Sequence, residues 1–179
     1  QMKGELVLIL GCMFAGKTET LLAKAHRYLI AKKKIVLIKY RGDNRYSVQD
    51  ICSHSAKSMK ATFAVDKLKD VDEKSIADAD VILIDEGQFF PDLELADNWA
   101  KDKTVIISAL KSDWKKEPFP SIAKIIPCVD ELIPLRAICS QCGEEASHTK
   151  KMVPSQETIL IGGSESYQPR CRRCFYLNE

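Results

Sequence analysis

The residues Gly11, Gly16, Lys17 and Thr18 have the types and the spacing of a phosphate-binding loop, the P-loop. Glycines let such a loop turn until its backbone N–H groups point at phosphate oxygens, and the dipole of the following helix adds positive potential. The lysine reaches the β- and γ-phosphates, and the threonine hydroxyl is a ligand for Mg²⁺. The sequence therefore predicts that a nucleoside triphosphate binds with magnesium along Gly11, Cys12, Met13, Phe14, Ala15, Gly16, Lys17 and Thr18.

A second pair of candidate residues, Asp85 and Glu86, follows the apolar run at residues 81–84. An aspartate after a buried strand is the second half of the P-loop machinery, where it holds Mg²⁺ directly or through water. Neighbouring side chains at a strand end point in different directions, so Glu86 can face the group that receives the γ-phosphate. A glutamate there removes a proton from an acceptor hydroxyl, or polarises a water in an ATPase. Glu86 is thus the predicted catalytic residue in either case.

The elements that must position these residues are typical of an α/β fold with a parallel sheet. Five apolar residues, 6–10, predict a buried strand before the loop, and apolar positions at helical spacing predict a helix over residues 17–31. The polar segment 55–62 is predicted to be mobile. The remaining predicted elements are buried strands at 35–39, 81–84 and 104–108, an edge strand at 133–135, and helices at 67–79 and 92–101.

Two predicted loops lie beyond the carboxyl ends of the strands, where ligands bind in open α/β sheets. The loop after residue 39 contains Asp43 and Arg45, which could contact metal, phosphate or sugar hydroxyls, or could form an ordinary surface ion pair. The loop after residue 108 contains Leu110, Trp114 and Phe119. These large side chains are either core residues or the walls of an apolar slot for a flat base.

The composition changes at Cys139, where a metal site is predicted. Two Cys-x-x-Cys pairs are separated by 28 residues, and they consist of Cys139, Cys142, Cys171 and Cys174. Two such knuckles predict a tetrahedral Zn²⁺, and four protein ligands indicate a structural site that folds the segment between them. Disulfides are the alternative, but an odd total of seven cysteines favours reduced thiols and a metal. His148 is a spare ligand candidate.

The length of 179 residues suits one domain with a small appendage, and we predict a P-loop domain at 1–137 and a zinc-binding domain at 138–179. The net charge of +2 arises from 27 basic and 25 acidic residues, too even a balance to predict nucleic acid or a membrane as a partner. No apolar run approaches the length of a membrane span, and no signal or transit peptide is evident. We therefore expect an intracellular, cytoplasmic protein.

Taken in order, these motifs resemble those of the zinc-containing cellular thymidine kinases. The resemblance rests on GCMFAGKT, KYRGDNRYS, DEGQFFPD, the Pro-Phe after the fourth strand, both Cys-x-x-Cys pairs, and IGG followed by Tyr and Cys. It covers nearly the whole chain. It implies a P-loop parallel sheet flanked by helices with a small zinc-bound C-terminal lasso domain. It also implies transfer of the γ-phosphate of ATP to the 5′-hydroxyl of thymidine, with deoxyuridine as a second candidate acceptor, in pyrimidine salvage.

The resemblance also implies roles for individual residues, with Glu86 as the base that deprotonates the acceptor hydroxyl. The phosphates and Mg²⁺ are implied to lie among the P-loop, Asp43, Asn44, Arg45, Asp85, Gly87 and Gln88. The thymine is implied to be enclosed by Met13, Phe89, Leu110, Trp114, Phe119 and Thr149. The backbone of the lasso is implied to hydrogen-bond the base, with Tyr167 closing over it, at Thr158, Ile159, Leu160, Ile161 and Gly162. A homotetramer with dTTP as feedback inhibitor is implied as well.

Four residues depart from the usual pattern of that family. Cys12 stands where proline is frequent, Ala15 where serine is frequent, Trp114 where phenylalanine is usual, and Lys111 where many members are acidic. The tryptophan could tighten the base slot or change its selectivity, and the phosphate-transfer groups are untouched. The base specificity is therefore the least defined part of the expected function.

Two other classes of function are compatible with a P-loop. A zinc-ribbon ATPase that moves nucleic acid or a protein partner would be favoured by a basic stripe interleaved with aromatic residues on the zinc segment. That segment instead carries several glutamates beside its basic residues, namely Glu144, Glu145, Glu157 and Glu165. A non-catalytic nucleotide sensor would have little use for Glu86 beside Asp85.

Overall fold

A central sheet flanked by helices dominates the computed structural model, which describes residues 3–43, 50–52, 58–154 and 166–177. The strands are β1 (Glu5–Gly11), β2 (Ile35–Tyr40), β3 (Asp50–Cys52), β4 (Ser58–Lys60), β5 (Phe63–Val65), β6 (Val81–Ile84), β7 (Thr104–Leu110), β8 (Glu131–Leu135), β9 (Ala137–Ile138), β10 (Glu145–Ala146), β11 (His148–Lys151) and β12 (Tyr167–Arg170). The α-helices are α1 (Lys17–Ile30), α2 (Glu73–Asp78), α3 (Leu95–Trp99), α4 (Pro120–Ile125) and α5 (Arg172–Tyr176).

The sheet has six strands in the order β5-β2-β6-β7-β1-β8, and every neighbouring pair is parallel. Strands β1, β2, β6 and β7 are mostly apolar and buried because both faces of the sheet are covered. Val7 and Ile9 pack against Leu21 and Leu22 of α1, whereas Leu8 faces the layer formed by α2, α3 and α4. The predicted parallel α/β fold is confirmed, and the predicted edge strand is β8, which pairs in the sheet only with β1.

The parallel arrangement brings the loops after β1, β2, β6 and β7 to one edge of the sheet. The carboxyl ends of parallel strands share an edge, and an open α/β sheet binds ligands there. The candidate site residues therefore lie in one region of the fold. They belong to the P-loop, to the ends of β2 and β6 (Asp43, Asp85 and Glu86) and to the loop after β7.

Two predicted helices are shorter than expected. Residues 67–79 form a 3₁₀ turn (Leu68–Asp70) and then α2, because Val71 is extended and the carboxylate of Asp72 caps α2 by accepting from the N–H of Ser75 at 2.8 Å. Residues 92–101 form only α3. The carboxylate of Asp92 does not start a helix but accepts from the backbone N–H groups of Leu68 and Lys69, both at 2.9 Å.

Residues 58–60, in the segment predicted to be mobile, form the strand β4, which pairs antiparallel with β3. The sequence did not predict this strand, because its pairing partner lies outside the segment and local composition does not reveal it.

Two small antiparallel pairs, β9 with β10 and β11 with β12, precede the terminal helix α5. They bring the two cysteine pairs together at the C-terminal end of the chain. Among the described residues, no helix combines the length and the apolar character needed to cross a membrane.

Candidate active site

The loop between β1 and α1 has the backbone conformation that its glycines allow. Gly16, directly before α1, has a φ of 81°, in the left-handed region that glycine adopts without strain. At Gly11 a side chain would not fit, since a Cβ there would lie 2.8 Å from the carbonyl oxygen of Leu135. Phe14 also has a positive φ, 65°, which costs a residue with a side chain about 1–2 kcal/mol. Contacts around the loop must therefore hold this conformation.

The polar residues at the end of the loop converge on Asp85. The hydroxyl of Thr18 donates to Oδ1 of Asp85 at 3.0 Å, and the hydroxyl of Ser108 on β7 donates to the same oxygen at 2.7 Å. The ammonium of Lys17 donates to the carbonyl oxygen of Cys12 across the loop at 2.7 Å. A hydroxyl and a carboxylate at this position are the oxygen ligands that a magnesium–nucleotide complex requires.

Burial and, after it, the neighbouring charge of Glu86 raise the pKa of Asp85 to about 7, against the opposing effect of the hydrogen bonds from Ser108 and Thr18. The carboxylate is only 5% exposed, so its negative charge is poorly solvated. A divalent cation favours the ionised form of a buried carboxylate. The donor set of Thr18 and Asp85 thus fits Mg²⁺.

Glu86 is directed to different partners from those of Asp85. Its backbone is left-handed, with φ 54° and ψ 47°, and its carboxylate accepts from the side-chain amide of Gln88 at 2.5 Å. The carbonyl oxygen of that same amide accepts from the N–H of Leu110 at 3.1 Å. Gly87 packs so tightly that an added Cβ would lie 2.5 Å from Cγ2 of Ile107. The segment is therefore locked onto the end of β7, with the carboxylate of Glu86 held by Gln88.

An apolar cluster lies next to these groups. Its buried members are Met13, Leu110 and Tyr167, and the half-buried side chains packed against them are Phe14, Trp114 and Phe119. The cluster takes one residue from the phosphate loop, one from the end of β7 and one from β12. Phe89 extends it, with its ring centroid 6.4 Å from that of Phe119 and 5.1 Å from that of Tyr40.

Two lysines lie over the ring of Trp114, with the ammonium of Lys115 at 5.1 Å and that of Lys151 at 4.7 Å from the ring centroid. Such distances allow cation–π attraction on the order of 1 kcal/mol each. Its indole Nε1 is buried and donates no hydrogen bond to the described residues. The tryptophan is therefore positioned by its ring faces rather than by its polar edge.

The phosphate loop is also packed directly against the cysteine cluster. Cys12, Phe14 and Ala15 share an apolar contact region with Cys139 and Cys174. Burial raises the pKa of Cys12, so it serves as a small apolar side chain, and its sulfur donates to the carbonyl oxygen of Ala146 at 3.5 Å. The two loop residues that differ from the usual family pattern, Cys12 and Ala15, are thus small residues at the contact with the cysteine cluster.

The four sulfurs of Cys139, Cys142, Cys171 and Cys174 lie within 4.8 Å of one another. The sulfurs of Cys142 and Cys171 are 3.7 Å apart, too far for a disulfide of about 2.05 Å. Zn–S bonds of about 2.3 Å around a tetrahedron place sulfurs about 3.8 Å apart. The cluster thus fits Zn²⁺, whereas His148 lies outside it, packed edge-on against Phe175 with ring centroids 5.6 Å apart.

Several residues named from the sequence fall outside the described residues. These are Asn44, Arg45, Thr158, Ile159, Leu160, Ile161 and Gly162. Asp43 is described and buried, 5% exposed, and it contributes to the raised pKa of Asp85. Thr149 accepts from the backbone N–H of Met13 at 3.1 Å, so it contacts the phosphate loop.

Ser108 is a site residue that the sequence reasoning missed. It is the one hydroxyl-bearing residue in the apolar run 105–110, and it is 1% exposed. A polar residue in a fully buried strand needs a partner, and that was the available signal. The partner, Asp85, became visible only once β6 and β7 were paired.

The fold and this arrangement of residues define a P-loop phosphotransferase. The protein-family model for thymidine kinase matches residues 4–175. Human (Homo sapiens) cytosolic thymidine kinase is 39% identical over 176 residues, which cover 97% of this chain and 74% of the human protein. The thymidine kinase of vaccinia virus (strain Ankara) is 42% identical over 174 residues, 96% of this chain and 97% of the viral protein. Cytosolic thymidine kinase of Gallus gallus is 36% identical, over 97% of this chain and 78% of the chicken protein.

The chain belongs to the thymidine kinase family. Its activity is accordingly that of an ATP-dependent nucleoside kinase, and the cysteine cluster fits the zinc site that the sequence predicted.

Proposed function

We propose that the protein transfers the γ-phosphate of ATP to the 5′-hydroxyl of thymidine, giving dTMP, and that deoxyuridine is a second acceptor. The observation that carries this proposal is the position of Met13. It lies in the phosphate loop and is also a buried member of the apolar cluster with Leu110 and Tyr167. A phosphate site and a slot for a flat base thus share a wall, as a nucleoside kinase requires.

In this proposal Glu86 is the general base. Its carboxylate accepts from Gln88, whereas that of Asp85 accepts from Thr18 and Ser108. It removes the proton of the 5′-hydroxyl as the oxygen attacks the γ-phosphorus, and ADP leaves. Thr18 and Asp85 would hold Mg²⁺, which supplies positive charge to the phosphates. Lys17 and the N–H groups of the loop, together with Asp43, Asn44, Arg45 and Gly87, complete the phosphate site.

The base slot is proposed to consist of the apolar cluster with Phe89 and Thr149. The lasso residues Thr158–Gly162 are proposed to hydrogen-bond the base through their backbone, with Tyr167 over it. Tyr167 is buried next to Met13 and Leu110, which supports this placement. Trp114 is larger than the phenylalanine usual in the family, so it narrows the slot and sets how strictly the base is selected.

The four cysteines are proposed to bind a structural Zn²⁺, with residues 1–137 as the phosphoryl-transfer domain and 138–179 as the zinc-binding domain. Their sulfur separations support this ligand set. A cytoplasmic location is part of the proposal, and it is supported by the human relative, which is named cytosolic. Neither nucleic acid nor a membrane has a place in this proposal.

Two further proposals concern regulation and assembly. A molecule of dTTP carries both a thymine and a triphosphate, so it would occupy the base slot and the phosphate loop together and act as a feedback inhibitor. A homotetramer of dihedral symmetry uses at least two kinds of interface. Exposed apolar side chains lie on α1, at Leu29 and Ile30, and separately at the sheet edge and beyond it, at Leu132 and Ile138, which supports such an assembly.

The experiment that tests the function measures ATP consumption by the purified protein without acceptor and with thymidine, deoxyuridine, deoxycytidine or deoxyguanosine. Products are identified by mass. Consumption only with thymidine or deoxyuridine, giving the monophosphate, is the expected result. Consumption without acceptor, unaffected by nucleosides, would mean that Glu86 activates water and would overturn the proposal.

A further inference from the structure

Arg170 links the two segments of the chain that carry the cysteine pairs. It lies at the end of β12, directly before Cys171, and it is only 5% exposed. One terminal nitrogen of its guanidinium donates to the side-chain oxygen of Gln141, which lies between Cys139 and Cys142. The other donates to the side-chain oxygen of Gln168 at 2.9 Å. A single buried side chain therefore links the segments of both cysteine pairs.

A second set of bonds runs in parallel between the same segments. The hydroxyl of Ser140 donates to the same oxygen of Gln168 at 3.0 Å, and the backbone N–H of Ser140 donates to the carbonyl oxygen of Pro169 at 3.0 Å. The side chain of Gln168 thus accepts from both Ser140 and Arg170. The segment of the first cysteine pair is therefore hydrogen-bonded to β12, the strand that directly precedes the second pair.

The connection extends toward the base slot. The guanidinium also contacts the sulfur of Met152 at 3.9 Å, directly after β11, and the N–H of Met152 donates to the carbonyl oxygen of Ser166 at 2.8 Å. Residues 152 and 166 flank the part of the chain proposed to bind the base. The arginine therefore connects the cysteine cluster to residue 152, at the start of that segment.

Burying the guanidinium of Arg170 costs free energy unless the group makes specific contacts. Removing a guanidinium from water costs several kcal/mol, which is recovered only when acceptors are well placed. Its planar fork offers donors in fixed directions, so two acceptors bound by its two ends are held at a fixed separation. A Zn²⁺ with four thiolates carries a net charge of −2, which also favours a positive charge next to a ligand.

We propose that Arg170 is a positioning residue for the metal centre. Its two-ended contact with Gln141 and Gln168 holds the two cysteine pairs at the separation that one Zn²⁺ requires. This inference rests on the zinc binding proposed above. It attributes the effect to the fork rather than to the positive charge alone, so a lysine does not replace the arginine.

The test compares the zinc-loaded full chain with the variants Arg170→Lys, Arg170→Gln and Gln141→Ala, and with Arg173→Gln as a matched control on the exposed side of α5. Zinc transfer to a chromophoric chelator is followed in time, and the absorption of the cobalt-substituted protein reports the ligand geometry. Loss of a residue that orients metal ligands costs about 10–100-fold in metal affinity. We expect both Arg170 variants to release zinc at least about tenfold faster, with changed cobalt bands, and Arg173→Gln to behave as wild type.

Gln141 is exposed, so Gln141→Ala should fold even if an Arg170 variant does not. It should release zinc faster than wild type, and combining it with Arg170→Gln should add little, because Arg170→Gln already removes the contact between residues 170 and 141. The proposal would be overturned if Arg170→Lys released zinc at the wild-type rate. It would also be overturned if the effects of the two single variants on the zinc release rate were fully additive in the double variant. Absence of zinc from the wild-type protein would instead overturn the zinc assignment itself, which metal analysis reveals before any variant is made.

Discussion

The backbone N–H of Met13 donates a hydrogen bond of 3.1 Å to the hydroxyl of Thr149. Met13 lies in the middle of the phosphate loop, and Thr149 lies in β11, which pairs with the strand that leads to Cys171. Both residues are buried. This bond therefore ties the phosphate loop to the hairpin of β11 and β12, and the two form two walls of the proposed base slot.

Replacing Thr149 by valine keeps the shape of the side chain and removes the acceptor. The N–H of Met13 is then buried without this partner, which costs about 1–3 kcal/mol. We expect the free energy of unfolding to fall by that amount and the KM for thymidine to rise more than the KM for ATP. Urea titration and steady-state kinetics measure the two effects. Thr149→Ser retains the hydroxyl and should stay close to wild type; equal behaviour of the valine and serine variants would show that the bond does not matter.

Glu86→Gln tests the proposed general base. The amide has nearly the same size as the carboxylate but cannot accept the proton of the 5′-hydroxyl, so kcat should fall by about 10²-fold or more. ATP binding should persist, because Lys17, Thr18 and Asp85 are unchanged. Single-turnover kinetics and ATP titration separate the two quantities. Glu94→Gln, at an exposed position before α3, serves as the control, and a near-normal kcat in Glu86→Gln would remove this residue from the mechanism.

The parts of the site that could be predicted from the sequence are those set by local spacing. The loop around Gly16 and the carboxylates at the end of β6 directly follow apolar runs. The same stretch of sequence therefore predicts both the strand and the site residues after it. The cysteine pairs are likewise local signals, and only their mutual approach needed the structure. Spacing therefore predicted the candidate phosphate site, the candidate base and the candidate metal ligands, and the structure brings the four cysteines together.

The parts that could not be predicted depend on contacts between distant segments. Ser108 acquires a role only because β7 pairs with β6, and Ser58–Lys60 forms a strand only because β3 lies beside it. The small residues Cys12 and Ala15 are explained by packing against Cys139 and Cys174, which lie more than a hundred positions away. Helix lengths failed for a related reason, since Asp92 is used to cap a distant turn rather than to begin a helix.

Removing the metal tests the structural role of the cysteine cluster. Without zinc the small strand pairs lose their strongest constraint, because a segment of this size has too little core to fold alone. We expect loss of thymidine binding by calorimetry, with most of the far-UV circular dichroism of the six-stranded sheet retained. Readdition of one equivalent of Zn²⁺ should restore binding. Unchanged thymidine affinity after metal analysis has verified complete removal would contradict the proposed role.

His148 makes the stability of the protein depend on pH. Its burial, and after that the nearby positive charges of Lys116, Lys111 and Arg172, lower the pKa of the imidazole to about 4, against an ordinary value of about 6.5. The unfolded chain therefore binds a proton that the folded chain does not, so stability is complete above pH 6.5 and is lost as pH falls toward 4. By pH 5 the expected loss is on the order of 2 kcal/mol. Chemical denaturation between pH 5 and 7, with zinc content verified at each pH, measures this loss. His148→Gln should reduce the dependence of the unfolding free energy on pH, and the exposed His26→Gln should not. An equal pH dependence for His148→Gln and wild type would show that another group is responsible.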